Sequence, residues 1–380
     1  MVDAYFNGEK GRWITTKTKK HVFIPEGKTP EEVLSEMFEE EEFDSPDNNN
    51  DIMISDQIIN SSSGLTDSNK DFIRKINSQI NPDALEILND YHPKIVKASD
   101  KERNHFDERK VIIKLKEGAF KTIEPGTDYY ATGQTYLHET GHFIDYEFDS
   151  VIGQKYYKSY ASSSFISPTY GDTLHNIVSL EKSKMSRTEG VKLSVLLDEE
   201  FIEKFSDDPK IKEIRDFRKD ILDEAIESVN MNTLVSDKFN VLKDNFIAGN
   251  TDNMEEFRNK IYSYLSRKCV EKFSKEDILK FNQIYPKSAL YGRQKYSIVS
   301  DALSSRRDFT QYRLANFGHS ASYYYKYKYD GLGTEFFANY FSAWSRNDKE
   351  QMEITRKYMP KSCEIFDEMI EAYKNKKGIK

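Results

Sequence analysis

TYLHETGHFIDY, residues 135–146, carries the pattern His-Glu-x-x-His and governs how the rest of the chain is read. On an α-helix, residues four apart lie one above the other, about 6 Å apart along the axis. His138 and His142 can therefore turn one imidazole each toward a common point. Glu139 is rotated by about 100° from His138. That sets it beside such a point, where a carboxylate can act as a base toward water at a metal. Zinc accepts histidine nitrogen at about 2.0–2.1 Å, and a catalytic site takes three protein ligands.

The surroundings favour a helix. Thr132 is the candidate N-cap, and Tyr136, Leu137, Phe143 and Ile144 supply apolar packing around the polar strip. Gly141 costs about 1 kcal/mol of helix propensity relative to Ala, which is tolerable where another element packs closely against it. Asp145 shares the ligand face, and a carboxylate there can orient a ligand histidine through its second ring nitrogen.

Two histidines need a third ligand, and no histidine follows closely behind His142. The candidate lies far downstream in GLGTEFFANYFSAW (331–344), with Thr334 as its expected cap. Glu335, Ala338, Asn339 and Ser342 fall along one strip of that helix, flanked by Phe336, Phe337, Tyr340, Phe341 and Trp344. Small side chains after the glutamate permit close approach to a second helix, which would bring Glu335 within coordination range.

H-E-x-G-H-x-x-D followed much later by E-F-F-A resembles the gluzincin zinc metallopeptidases. It is most similar to the anthrax lethal factor-like branch and to zincin-like domains associated with phage head morphogenesis. The resemblance spans roughly 110–146 and 296–370. It implies one zinc ion held by His138, His142 and Glu335, with Glu139 as general base and acid; Asp145 and Asn339 are the further candidates for supporting the ligands. It also implies a tyrosine that donates to the oxyanion. GHSASYYYKYKY (318–329) offers Tyr324, Tyr327 and Tyr329, with His319 as a substrate contact. The gap between His142 and Glu335 exceeds that of compact gluzincins, so a large insertion is expected. WITTKTKKHVFIPEG, near the N-terminus, resembles a short segment of phage minor head proteins.

Composition narrows the classes further. The 380 residues carry a formal charge of −8, which disfavours nucleic acid as a partner. With 24 Tyr and 24 Phe, packed cores are expected. Two cysteines, Cys269 and Cys363, cannot build a disulfide framework. No apolar run has signal-peptide or membrane-span length, so the expected location is cytoplasmic at synthesis. Association with a virion, or delivery by other machinery, is the alternative. No nucleophile-elbow, Walker or dinucleotide glycine pattern is present.

The expected fold class is α+β and helix-dominated: a zincin-like catalytic domain with a small sheet, a large helical insertion and a small N-terminal β-containing segment. Residues 1–38 form an N-terminal module, with a hairpin or two strands over 11–27 and a helix starting at Thr29. Residues 39–65, acidic and Asn/Ser-rich, read as a solvated linker. The catalytic domain occupies 66–380, with helices over 70–80 and 81–92, a strand over 110–118 and a helical insertion over about 150–295. The expected activity is zinc-dependent endopeptidase action on a protein or peptide. The alternatives are a phage minor head or other assembly protein on a zinc-binding zincin fold, and a toxin-like effector protease.

Overall fold

Alternating β-branched and aromatic residues near the N-terminus form three short strands. They are β1 (Ala4–Phe6), β2 (Glu9–Thr15) and β3 (His21–Pro25), joined as an antiparallel sheet in the order β1-β2-β3. Trp13 stands opposite Phe23 and Thr15 opposite His21. The computed structural model describes residues 4–6, 9–15, 21–29, 48–121, 132–152, 159–230, 254–306, 318–319, 323–324 and 331–377. The helix read from Thr29 falls almost wholly outside the described residues. The chain divides into two units, Met1–Asp51 and Ile52–Lys380.

Part of the stretch read as a solvated linker is instead helical, as α1 (Asn48–Ser61). Ser55, Ile58 and Ile59 recur at helical spacing and are buried, so an apolar stripe prevails over the acidic, Asn-rich lead-in. Helices α2 (Asp67–Asn77) and α3 (Pro82–Tyr91) follow. Thr66 and Asn69 form a capping box on α2, while Asn81 caps α3 ahead of Pro82. A second sheet holds β4 (Ile95–Lys97), β5 (His105–Asp107) and β6 (Ile112–Leu115) in the order β4-β6-β5. β6 is parallel to β4 and antiparallel to β5. The strand read over 110–118 is thus only its middle, and a 3-10 turn takes over at Glu117–Phe120.

The two motif helices are α4 (Gln134–Phe148) and, far along the chain, α12 (Gly331–Ser345). Between them come α5 (Ala161–Ser164), α6 (Leu174–Lys184), α7 (Arg187–Glu199), α8 (Pro209–Asn230), α9 (Met254–Lys272), α10 (Lys275–Lys295) and α11 (Ser297–Ser304). α13 (Lys349–Tyr358) and α14 (Pro360–Lys377) close the chain. The described residues form a helix-dominated α+β structure, and none of their helices is long and apolar enough to cross a membrane.

Three apolar clusters organise the second unit. The largest joins α1–α6, the second sheet, α12 and α14, with Phe148, Phe337, Phe366 and Tyr373 at its centre. Phe148 stacks on Tyr373 with ring centroids 5.0 Å apart. α5 and α6 belong to this core through Ala161, Leu174, Ile177 and Val178. The second cluster joins α7, α8 and α9 with Val299 and Leu303 of α11 and Ile354 of α13, and the third joins α8, α9 and α10. Arg218 pairs with Glu199 at 2.7 Å inside them, both side chains being buried. Both cysteines are buried and free.

After α12 the chain turns at Asp348, whose carboxylate accepts Lys295 Nζ at 2.6 Å, Arg346 at 3.3 Å and the Gln351 backbone N–H at 3.1 Å. Burial alone would raise this carboxyl, but the two cations outweigh it and hold it below the usual aspartate range. A depressed folded-state pKa gives stability that is present above the unfolded value, about 3.9, and lost as pH falls through the folded value. Asp348→Asn should therefore flatten the acid limb of the stability curve below about pH 4. At neutral pH it should cost on the order of 3 kcal/mol, because Lys295 and Arg346 lose a buried partner. Urea unfolding across pH measures both effects.

Candidate metal centre

α4 begins at Gln134, with Gly133 rather than Thr132 at the cap position, at φ +79°. No side chain caps it, and the Ile76 side chain lies 3.0 Å from where a Cβ on Gly133 would stand. Its register is held by Tyr136 OH donating to Asn77 at 3.1 Å and by Ser342 Oγ donating to the Gln134 carbonyl at 3.2 Å. Thr334 sits within the first turn of α12 and donates to the Gly331 carbonyl, so it does not cap the helix from outside. His175 accepts the Gly333 N–H at 3.3 Å at that same end.

Gly141 decides the distance between the two helices. A Cβ there would come within 2.7 Å of Ala338 Cα and 3.0 Å of its carbonyl oxygen. The backbones therefore touch, which is the close approach the small-residue strip had suggested. Glu335, one turn before Ala338, then faces the histidine pair. His138 Nε2 and His142 Nε2 are 3.2 Å apart, and Glu335 Oε2 lies 3.5 Å from the first and 3.6 Å from the second.

These separations suit a metal. Ligands about 2.0–2.1 Å from a shared tetrahedral centre stand about 3.3–3.4 Å from one another. Glu335 is buried, and its Oε2 has no hydrogen-bond partner, an arrangement that costs roughly 1–3 kcal/mol or more unless a cation or proton is supplied. Glu335 Oε1 is occupied, accepting Tyr323 OH at 2.6 Å. Two facing imidazole nitrogens likewise require a proton or cation between them.

Without an ion, the charges of the three groups balance one another. Burial and the neighbouring His142 push His138 down to about 4, leaving a neutral ligand. Burial opposes charge on His142 and Glu335 as well, but their mutual attraction prevails: His142 is raised and Glu335 lowered. Burial pushes Glu139 up to about 7, aided by Glu335 and opposed by His142 and by the Phe106 backbone N–H. That N–H ties Glu139 to β5, the edge strand of the second sheet among the described residues.

A second polar cluster adjoins the first. Asp301, on α11, is buried, and its Oδ1 accepts Tyr324 OH at 2.7 Å and the His319 backbone N–H at 2.8 Å. Asn339 Nδ2 donates to its Oδ2 at 2.9 Å. His319 Nδ1 lies 3.3 Å from Asp301 and 3.7 Å from Glu335, and its ring stacks on Tyr323 with centroids 4.0 Å apart. Burial works against a charged His319, but Asp301 overcomes it and raises the ring to about 9. Asp301, His319 and Glu335 could themselves group around a cation. Asp301, however, already receives several donors, which makes it a hydrogen-bonding hub. No family model matches this chain, and neither does any curated protein or solved structure.

Each residue singled out in the sequence can now be placed. His138, His142, Glu335 and Glu139 come together. Asn339 serves Asp301 rather than a metal ligand directly. Both oxygens of the fully buried Asp145 take hydrogen bonds from Ser162, at 2.7 Å from its N–H and 2.6 Å from its Oγ, so it anchors α5 behind the site. Tyr324 is committed to Asp301, while Tyr327 and Tyr329 lie outside the described residues. Tyr323 and Asp301 were missed. Tyr323 was one of several tyrosines with no local signal, and Asp301 sits in SIVSDALS, a short apolar helix with nothing to mark it.

Gly141→Ala tests the helix contact. The substitution gains about 1 kcal/mol of helix propensity, but its Cβ meets backbone atoms that cannot rotate away, an overpacking cost of about 1–3 kcal/mol. The expected outcome is a net loss of stability in urea, as Glu335 is pushed outward from the histidine pair.

Proposed function

We propose that the chain is a zinc-dependent metalloendopeptidase with a zincin-like fold, using His138, His142 and Glu335 as ligands. The observation that carries this reading is the buried Glu335 Oε2, without a hydrogen bond and facing both imidazole nitrogens, with the motif's own Glu139 alongside. When bound, zinc supplies a Lewis acid that polarises the scissile carbonyl and lowers the pKa of water toward about 7.

The protein's residues would do the rest. Glu139 removes a proton from the attacking water onto its carboxylate and passes it to the departing amine. The Phe106 N–H and the surrounding apolar wall hold that carboxylate in place. Tyr323 keeps Glu335 Oε1 occupied, so that Oε2 is the atom presented to the ion. His319 is oriented through Nδ1 by Asp301, which leaves Nε2 to donate to the developing oxyanion. A protein or peptide is the substrate class this chemistry suits.

Elemental analysis of purified protein should find one zinc per chain, and a His138→Ala/His142→Ala variant should lack it. Zinc content unaffected by that double change would overturn the ligand assignment. Glu139→Gln should retain the metal and lose at least about 100-fold in cleavage rate, read on an unstructured protein substrate. Full activity in that variant would remove Glu139 as the base. Stoichiometric metal without cleavage of any protein would favour an assembly role for the same fold.

A further inference from the structure

Away from the candidate metal centre, a cleft of about 620 Å³ opens among α6, α7, α8, α11 and the α13–α14 junction. Its volume falls inside the roughly 300–1,000 Å³ range of small-molecule sites. The floor is apolar and comes from separate elements: Met185 after α6, Leu196 on α7, Leu303 on α11 and Met359 between α13 and α14. Six lysines stand around it, in a chain whose net charge is −8.

The acidic groups of the lining do not neutralise that rim. Glu181 accepts the backbone N–H groups of Lys361 and Ser362 and the Ser362 hydroxyl. Glu189 caps α7 by accepting the Ser186 N–H at 2.7 Å. Lys192 pairs with Asp223 at 2.6 Å. Lys184, Lys219 and Lys357 are exposed and form no ion pair among the described residues. Ammonium groups on flexible stems over an apolar floor match a ligand with one anionic head and one apolar tail.

We propose that this cleft binds a long-chain fatty carboxylate, its alkyl chain along Met185, Leu196, Leu303 and Met359 and its head among Lys184, Lys219 and Lys357. A single chain of this kind fills a cleft bounded on several sides, whereas an acidic peptide would need a longer surface with backbone hydrogen-bonding partners. The site is independent of the proposed metal chemistry.

The test displaces a fluorescent fatty acid from the full-length protein with laurate, with monolaurin (same chain, uncharged head) and with acetate. Laurate should displace the probe saturably at one site per chain, monolaurin about tenfold less well, and acetate not at all. Lys184→Gln/Lys219→Gln/Lys357→Gln changes only exposed side chains, so it should fold normally by circular dichroism yet bind laurate about tenfold more weakly. Equal displacement by laurate and monolaurin, or unchanged laurate binding in the triple variant, would overturn the proposal. So would an acidic amphipathic peptide that displaces the probe at lower concentration than laurate. The His138→Ala/His142→Ala variant should bind laurate as the wild type does, separating this site from the zinc site.

Discussion

The backbone contact between Gly141 and Ala338 is the constraint on which the centre depends. Only a glycine on α4 lets the Ala338 Cα and carbonyl come so near, and only that nearness sets Glu335 against both imidazoles. The aromatic flanks of α12 then lock the crossing. Phe337 meets Phe148 on one side and Phe366 on another, burying large rings that alone contribute several kcal/mol to holding the two helices together. The motif's local helix penalty at Gly141 is thus the local cost of a tertiary contact.

Around that crossing the protein buries an unusual concentration of charge. Glu139, Glu335, Asp301 and the histidine rings share one apolar surround, and each would be costly alone. Pairing distributes the cost: Tyr323 and the imidazoles serve Glu335, while Asn339, Tyr324 and His319 serve Asp301. The two imidazole nitrogens and Glu335 Oε2 converge on one point, a set of three groups that could hold a metal ion. α11 links this centre to the second apolar cluster. Asp301 lies beside Glu335 and His319, whereas Val299 and Leu303 on the same helix belong to that cluster and line the lysine-rimmed cleft.

Legibility followed how local the signal was. α4 was readable because His138, Glu139, His142 and their apolar flanks follow one helical period, although Gly133 rather than Thr132 stands at its cap, closing the turn through backbone conformation. α3 was readable from Asn81-Pro82. α1 was read as linker because its acidic, Asn-rich start masks a short buried stripe. That α5 and α6 join the main core was not legible, because core membership depends on what packs across from a helix, here α12 and α14. Asp301 and Tyr323 could not be found at all, because their roles are defined by partners distant in the chain or by choice among adjacent tyrosines.

By itself the sequence determined a helix bearing two histidines and a glutamate on adjoining faces, a second helix with a glutamate and small residues on one strip, and a helix-dominated α+β chain. Those features follow from the 3.6-residue period and from side-chain size, which are local properties. The tertiary structure alone decided that the two helices touch at Gly141, that Glu335 keeps one oxygen unpartnered beside the histidines, and that Asp301 gathers the tyrosine and histidine of a later segment. Each depends on atoms nearly two hundred residues apart, or on which of several similar side chains the packing turns inward.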